Sequence, residues 1–203
     1  MSILLIVLSY LVGSIPTGVV LSKRLAGTDV RNYGSGNIGA TNISRLMGKK
    51  FGLIVLAIDI LKGFLPVLVG KMILPSQPLF TPWILALTGL AAFLGHVFPF
   101  SLGFKGGKGV ATAAGAILAI SPISILMAAG IFLAVTYKTK YVSAGSLTGA
   151  LSLPAVIGLV TVTRPYILIT WIIAAIIVIK HKENVIRLAR GEESPIDLKK
   201  TGQ

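Results

Sequence analysis

Apolar residues run through this chain in long unbroken stretches, and polar residues are confined to short clusters between them. A helix needs roughly 17–25 apolar residues to cross the hydrocarbon core of a bilayer. Five stretches fall in that range: residues 1 to 22, 51 to 70, 83 to 101, 142 to 162 and 164 to 180. A further stretch, 107 to 137, is too long for one span and carries Ser121-Pro122 at its middle. Proline interrupts a helix, so two short helices turning at Pro122 are expected. The first of these, 107 to 120, only just reaches across and needs neighbouring protein or a thinned bilayer at its ends. The pattern therefore predicts an all-α, polytopic integral membrane protein with seven transmembrane helices. No basic region precedes the first stretch and no small-residue cleavage site follows it, so it is expected to stay as a span.

Composition agrees. Of 203 residues, 54% are hydrophobic and only 12% charged, against about 25% charged in soluble domains. Nineteen Lys and Arg against six Asp and Glu give a net charge of +13. Such an excess invites a nucleic-acid reading, but the basic positions lie in short, aromatic-poor segments that form no continuous path for a strand. No nucleic-acid partner is expected. Their placement instead tests the helix count, because basic residues favour the cytoplasmic side. With the N-terminus outside and the C-terminus cytoplasmic, sixteen of the nineteen fall inside; Lys71 and Arg164 fall outside and Lys62 within a helix. Treating 107 to 137 as one span would send Lys138, Lys140 and the basic tail outside. The absence of cysteine excludes disulfides and thiolate chemistry. Six acids and two histidines offer no clustered ligand set, so no metal or other cofactor is expected.

Chemistry is sought where loops stop looking like connectors. In the first inner loop, Gly34, Gly36 and Gly39 spell G-x-G-x-x-G, with Asp59 twenty residues on. A dinucleotide site is rejected, since no strand precedes the glycines and Asp59 lies inside an apolar span. What survives is local: glycines turn backbone N–H groups toward an anion, while Ser35, Asn37, Thr41 and Asn42 add donors and Arg45 a fork-shaped cation. A plain polar turn is the competing reading. A second cluster runs Gly95-His96-Val97-Phe98-Pro99, then Gly103-Phe104-Lys105-Gly106-Gly107-Lys108-Gly109, then Thr112. It is not a Walker A loop, because only three residues separate Gly103 from Gly107 and glycine follows Lys108. A helix expected to begin near residue 107 still gives free N–H groups and a positive dipole end, which suit a phosphate. The bland alternative is a tight turn whose lysines merely face the cytoplasm. A third polar set on the same side comprises Ser143, Ser146 and His181-Lys182-Glu183-Asn184. Asp59 and Lys62, three residues apart inside a span, read as a mutually neutralising structural pair, with a proton or ion path as the minor alternative. His96 is placed to brace the glycine-lysine loop.

These residues together resemble the bacterial membrane glycerol-3-phosphate acyltransferases that use acyl phosphate as donor. The likeness rests on Gly13-Ser14-Ile15-Pro16-Thr17-Gly18, Gly34 to Asn42 with Arg45, Asp59 to Gly63, Gly95 to Pro99, Phe104 to Thr112 and His181 to Asn184. It spans nearly the whole chain. It implies one membrane-embedded acyltransferase domain over residues 1 to 203, in the bacterial cytoplasmic (inner) membrane, with the active site facing the cytoplasm. It also implies transfer of an acyl group from acyl phosphate to the 1-hydroxyl of sn-glycerol 3-phosphate, the first acylation of phospholipid biosynthesis. The expected partners are these two substrates and membrane lipid, with the chain a monomer. By the same resemblance Ser35, Arg45, Lys105, His181 and Asn184 are expected at the reacting centre. Gly34, Gly36, Asn37, Thr41, Asn42, His96, Gly106, Gly107, Lys108, Gly109, Thr112 and Ser143 are expected to bind substrate, with Gly106 to Thr112 cradling the acyl phosphate. The H-x-x-x-x-D spacing of many thioester-dependent acyltransferases is absent, since Ser101 follows His96 and Ile186 follows His181 at that distance. Direct transfer without an acyl-enzyme is therefore expected, with a substrate phosphate oxygen or neutral His181 taking the hydroxyl proton. The rival is an organic-phosphate transporter, which would bring its site to mid-membrane between repeated halves; no repeat is found.

Overall fold

The structure is a computed structural model that describes residues 1–77 and 79–196; Lys199 and Lys200 of the basic tail lie outside the described residues. The chain divides into two compact units, Met1–Pro122 and Ile123–Gln203.

The first expected span is two helices, α1 (Ser2–Gly13) and α2 (Thr17–Ala26). The break falls at Ser14–Pro16, where Pro16 has no N–H to continue the ladder. Its carbonyls find side chains instead: Lys62 Nζ donates to Ile15 O at 3.0 Å and Ser101 Oγ to Ser14 O at 3.4 Å. A short amphipathic α3 (Ala40–Met47) precedes the long α4 (Lys49–Ile73). Then come α5 (Thr81–Val97) and α6 (Val110–Ile120). On α4 the usual amphipathicity is inverted. Leu53, Leu61 and Leu65 are exposed, while Asp59, Lys62, Gly63 and Pro66 are buried. This suits a helix whose outer face meets lipid.

Small residues set how closely these helices pack. A Cβ on Gly63 would overlap Thr112 O of α6, and one on Gly115 would overlap Ile60 O of α4. Gly13 and Gly95 stand in the same relation across α1 and α5. Backbones that approach this closely give dispersion contact where no hydrophobic effect holds helices together.

The second unit carries α7 (Pro122–Thr139), α8 (Val142–Val160), α9 (Arg164–Lys180) and α10 (Lys182–Arg190). The helix break expected at Ser121-Pro122 is present, with α6 ending at Ile120 and α7 starting at Pro122. Gly145 and Gly149 of α8 pack on Phe132 of α7. After α10, Gly191 turns the chain in the left-handed region and Ile196 N donates to Lys140 O at 2.8 Å.

Among the described residues five helical segments are long and apolar enough to cross a membrane, or six if α9 and α10, bent by 57°, count as one. The expected helix at 107 to 120 starts later than its apolar pattern implies. Residues 106 to 109 form a turn, leaving α6 with 11 residues; at 1.5 Å per residue it rises only about 16 Å, roughly half the hydrocarbon thickness.

Replacing Gly63 by Val is expected to cost about 1–3 kcal/mol through overpacking against Thr112. Gly130→Ala, on an exposed part of α7 with nothing near the new methyl group, is expected to gain roughly 0.5–1 kcal/mol. Thermal unfolding of both variants in one detergent checks the contrast.

Candidate active site

In the first unit the loop before α3 is built around Asn42, which is 1% exposed. Its Nδ2 lies 3.1, 2.8 and 3.0 Å from the carbonyls of Val30, Tyr33 and Asn37, and its Oδ1 accepts from Ser35 N at 3.2 Å. Gly34 has φ +55°, and a Cβ there would sit 2.5 Å from Asn42 Oδ1, so the turn requires glycine. Asn37 Oδ1 accepts from Gly39 N at 2.9 Å. The loop rests on an apolar cluster of Val19, Val30, Ile38, Ile43 and Val55. Asn42 and Asn37 thus shape the loop, while Ser35, Gly36, Thr41 and Arg45 stand exposed. Thr41 and Arg45 lie one turn apart on α3, on a common face. At the loop's start Asp29 receives Arg31 through its backbone and guanidinium, and Lys23 at 3.2 Å. The Arg31 side chain holds the Asp29 carboxyl well below the usual carboxylate range, against the opposing effect of burial.

The glycine-lysine turn is moored to the end of α5. Gly106 N donates to Val97 O at 3.2 Å and Gly107 N to His96 O at 3.1 Å. Those two N–H groups, expected to face a phosphate, are therefore spent on α5. The N–H groups without a partner inside a helix lie further along: the first three of α6, at Val110, Ala111 and Thr112, have no acceptor within the helix. Gly109 makes this start possible, with φ +82° at the N-cap and no room for a Cβ against Phe93. Lys105 is exposed and Lys108 half-buried, whereas Thr112 is fully buried. His96, 4% exposed, sits under the turn: a Cβ on Gly107 would overlap its Nε2, and its Nδ1 lies 3.8 Å from Asp59 Oδ1. Asp59 in turn pairs with Lys62 at 2.8 Å, the structural pair their spacing suggests.

In the second unit a carboxylate gathers the expected residues. Ser143 Oγ and Asn184 Nδ2 both donate to Glu193 Oε1 at 2.7 Å, and Arg187 Nε donates to Oε2 at 2.7 Å. Burial pushes the Glu193 carboxyl up, but the hydrogen bonds from Ser143, Asn184 and Arg187 and the charge of Arg187 bring it below its ordinary value. Sequence reasoning missed Glu193. The available signal was Gly191, a helix-ending glycine that turns an otherwise basic tail back with an acid behind it. His181, 2% exposed, places Nδ1 2.8 Å from Ile177 O. A carbonyl only accepts, so Nδ1 carries the proton and Nε2 is the basic nitrogen of the neutral ring. Among the described residues no group of three or more His, Cys, Asp or Glu stands together.

Residues 3–191 match a family profile described as glycerol-3-phosphate acyltransferase. A protein of that name from Geotalea daltonii is 48% identical over 95% of this chain and 96% of its own length. Another from Aquifex aeolicus is 41% identical over 95% and 97%. The fold is similar to crystal structures of PlsY (YgiH), an integral membrane glycerol 3-phosphate acyltransferase. The glycerol 3-phosphate form gives TM-score 0.89 at 39% identity, covering 97% of this chain and 96% of that one. The lysophosphatidic acid form gives 0.87 at 39% identity, covering 97% and 95%.

Glu193→Gln keeps an acceptor but removes the charge. At pH 7 its melting midpoint is expected to fall by roughly 4–8 °C, taking about 2 kcal/mol for weakened hydrogen bonds to a charged group. Because the folded carboxyl lies below its ordinary 4.5, this stabilisation is complete above that value and is lost as pH falls below it. The midpoints of wild type and variant should therefore converge in acid; a gap unchanged with pH would contradict the assignment.

Proposed function

Because the chain belongs to the glycerol-3-phosphate acyltransferase family, we propose that it transfers an acyl group from an acyl phosphate to the 1-hydroxyl of sn-glycerol 3-phosphate. The products are 1-acylglycerol 3-phosphate and inorganic phosphate. The observation that carries the reading is the full-length likeness to a solved acyltransferase whose two forms are named for glycerol 3-phosphate and lysophosphatidic acid, this reaction's acceptor and product. Acyl phosphate as donor is supported by the presence of two separate glycine turns bearing cations, which suits two phosphate-bearing substrates.

The acceptor hydroxyl attacks the donor's carbonyl carbon, the bond to the phosphate oxygen breaks, and the electron pair leaves on phosphate. Because the donor is a mixed anhydride, the enzyme's tasks are to juxtapose two anions and to stabilise charge on the carbonyl and leaving oxygens. In the first unit, Ser35, Arg45 and Lys105 take the glycerol phosphate and the reacting centre, with Gly34, Gly36, Asn37, Thr41 and Asn42 forming the supporting turn. Lys108 and the start of α6 cradle the acyl phosphate, supported by His96, Gly106, Gly107, Gly109 and Thr112. In the second unit, Ser143, His181 and Asn184 are the proposed substrate-contacting residues, with Glu193 fixing Ser143 and Asn184. The hydroxyl proton passes to a substrate phosphate oxygen or to His181 Nε2, and no acyl-enzyme forms.

On this reading the 203 residues act as one monomeric acyltransferase in the bacterial inner membrane. Seven crossings put the N-terminus outside and the basic loops and reacting groups at the cytoplasmic face. The rival transporter reading has no support among the relatives.

Purified protein given palmitoyl phosphate and glycerol 3-phosphate is expected to form lysophosphatidic acid, and none with palmitoyl-CoA. Product from the thioester alone would overturn the donor assignment; glycerol phosphate uptake into proteoliposomes without any product would restore the transporter. His181→Ala is expected to lose about 10²-fold or more in kcat if His181 is the base, and full turnover at saturating substrate would assign the proton to the substrate phosphate.

A further inference from the structure

We propose that His96 is a positioning residue: seated over the buried Asp59–Lys62 ion pair, its imidazole sets the height of the Gly106–Gly109 turn and thereby the affinity for the phosphate held there. The inference deepens the acyl-transfer reading and rests on it for its kinetic test.

The last carbonyls of a helix lack intrahelical partners. Those of Val97 and His96 are met by the N–H groups of Gly106 and Gly107, which lays the turn along the end of α5. Neither glycine has space for a side chain on the side facing α5. A Cβ on Gly106 would overlap His96 O and Pro99, and one on Gly107 would overlap the imidazole. The ring therefore fills the position a side chain of Gly107 would take. It is the floor on which the turn rests.

That floor is anchored from below. Asp59 Oδ1 lies 3.8 Å from His96 Nδ1 and 2.8 Å from Lys62 Nζ, and all three residues are at most 5% exposed. Lys62 Nζ also donates to Ile15 O at 3.0 Å, where α1 gives way to α2. One polar chain thus runs from the Ser14–Pro16 break through α4 to the end of α5 and the glycine turn. Buried charges in a membrane span are costly and are kept where they serve a site. None of the three touches the reacting atoms in the mechanism above, so their effect passes through the turn.

A double-mutant cycle tests this. His96→Ala and Gly107→Ala are each expected to raise KM for one of the two phosphate substrates about tenfold, with kcat changed much less. In the double variant the new methyl group enters the space the imidazole left, so its KM should fall about fivefold or more below the product of the two single effects, within the range of coupling between touching residues. Additive effects, or a loss confined to kcat, would overturn the proposal. If His96→Ala does not fold, His96→Gln retains much of the volume and should give a smaller rise in KM in the same direction; an unchanged KM would also overturn it. Amide hydrogen exchange at Gly107 and Lys108 reads the turn without activity and should quicken about tenfold when the ring is lost. Wild-type protein that makes no lysophosphatidic acid would sink the functional reading, and the exchange rates would still decide the role of His96.

Discussion

A backbone carbonyl left without a donor at the end of a membrane helix costs several kcal/mol, and the way α5 meets that demand organises the first unit. Its final carbonyls take their donors from Gly106 and Gly107, which requires residues without side chains at both positions. Because the turn is spent on α5, α6 cannot start until Val110. It is then too short to span the hydrocarbon core by itself, and the N–H groups of its first turn lie beside Lys108.

The two units order their polar side chains by different means. Around the first loop the organiser is a neutral amide, Asn42, which reaches three carbonyls and one N–H. It leaves Ser35, Thr41 and Arg45 exposed. In the second unit the organiser is a carboxylate, Glu193, which draws Ser143, Asn184 and Arg187 to its two oxygens. A carboxylate here offsets the charge of Arg187 and accepts from the Ser143 hydroxyl, the Asn184 amide and the Arg187 guanidinium.

Much of this was legible in the sequence. The apolar runs marked the long helices, Pro122 marked the break before α7, and the spacing of Asp59 and Lys62 marked an ion pair. The density of glycine and lysine pointed to the turn before α6. What periodicity could not register is where backbone donors go. The span expected at the N-terminus is present as one apolar segment, Ser2–Ala26, broken at Ser14–Pro16 into α1 and α2, a break that the spacing of apolar residues alone did not mark. Gly106 and Gly107 read equally well as anion donors or as donors to α5, and only the fold distinguishes these. Glu193 was hidden because its partners lie 50, 9 and 6 residues away.

The central claim is that the first turn of α6, and not the glycines before it, presents the N–H groups that hold a phosphate. Amide chemical shifts of isotope-labelled protein in nanodiscs, followed while inorganic phosphate and then acyl phosphate are added, test it most directly. The largest changes should fall at Lys108, Val110, Ala111 and Thr112, with Gly106 and Gly107 moving little. Changes centred on Gly106 and Gly107, or confined to residues far from this turn, would contradict it.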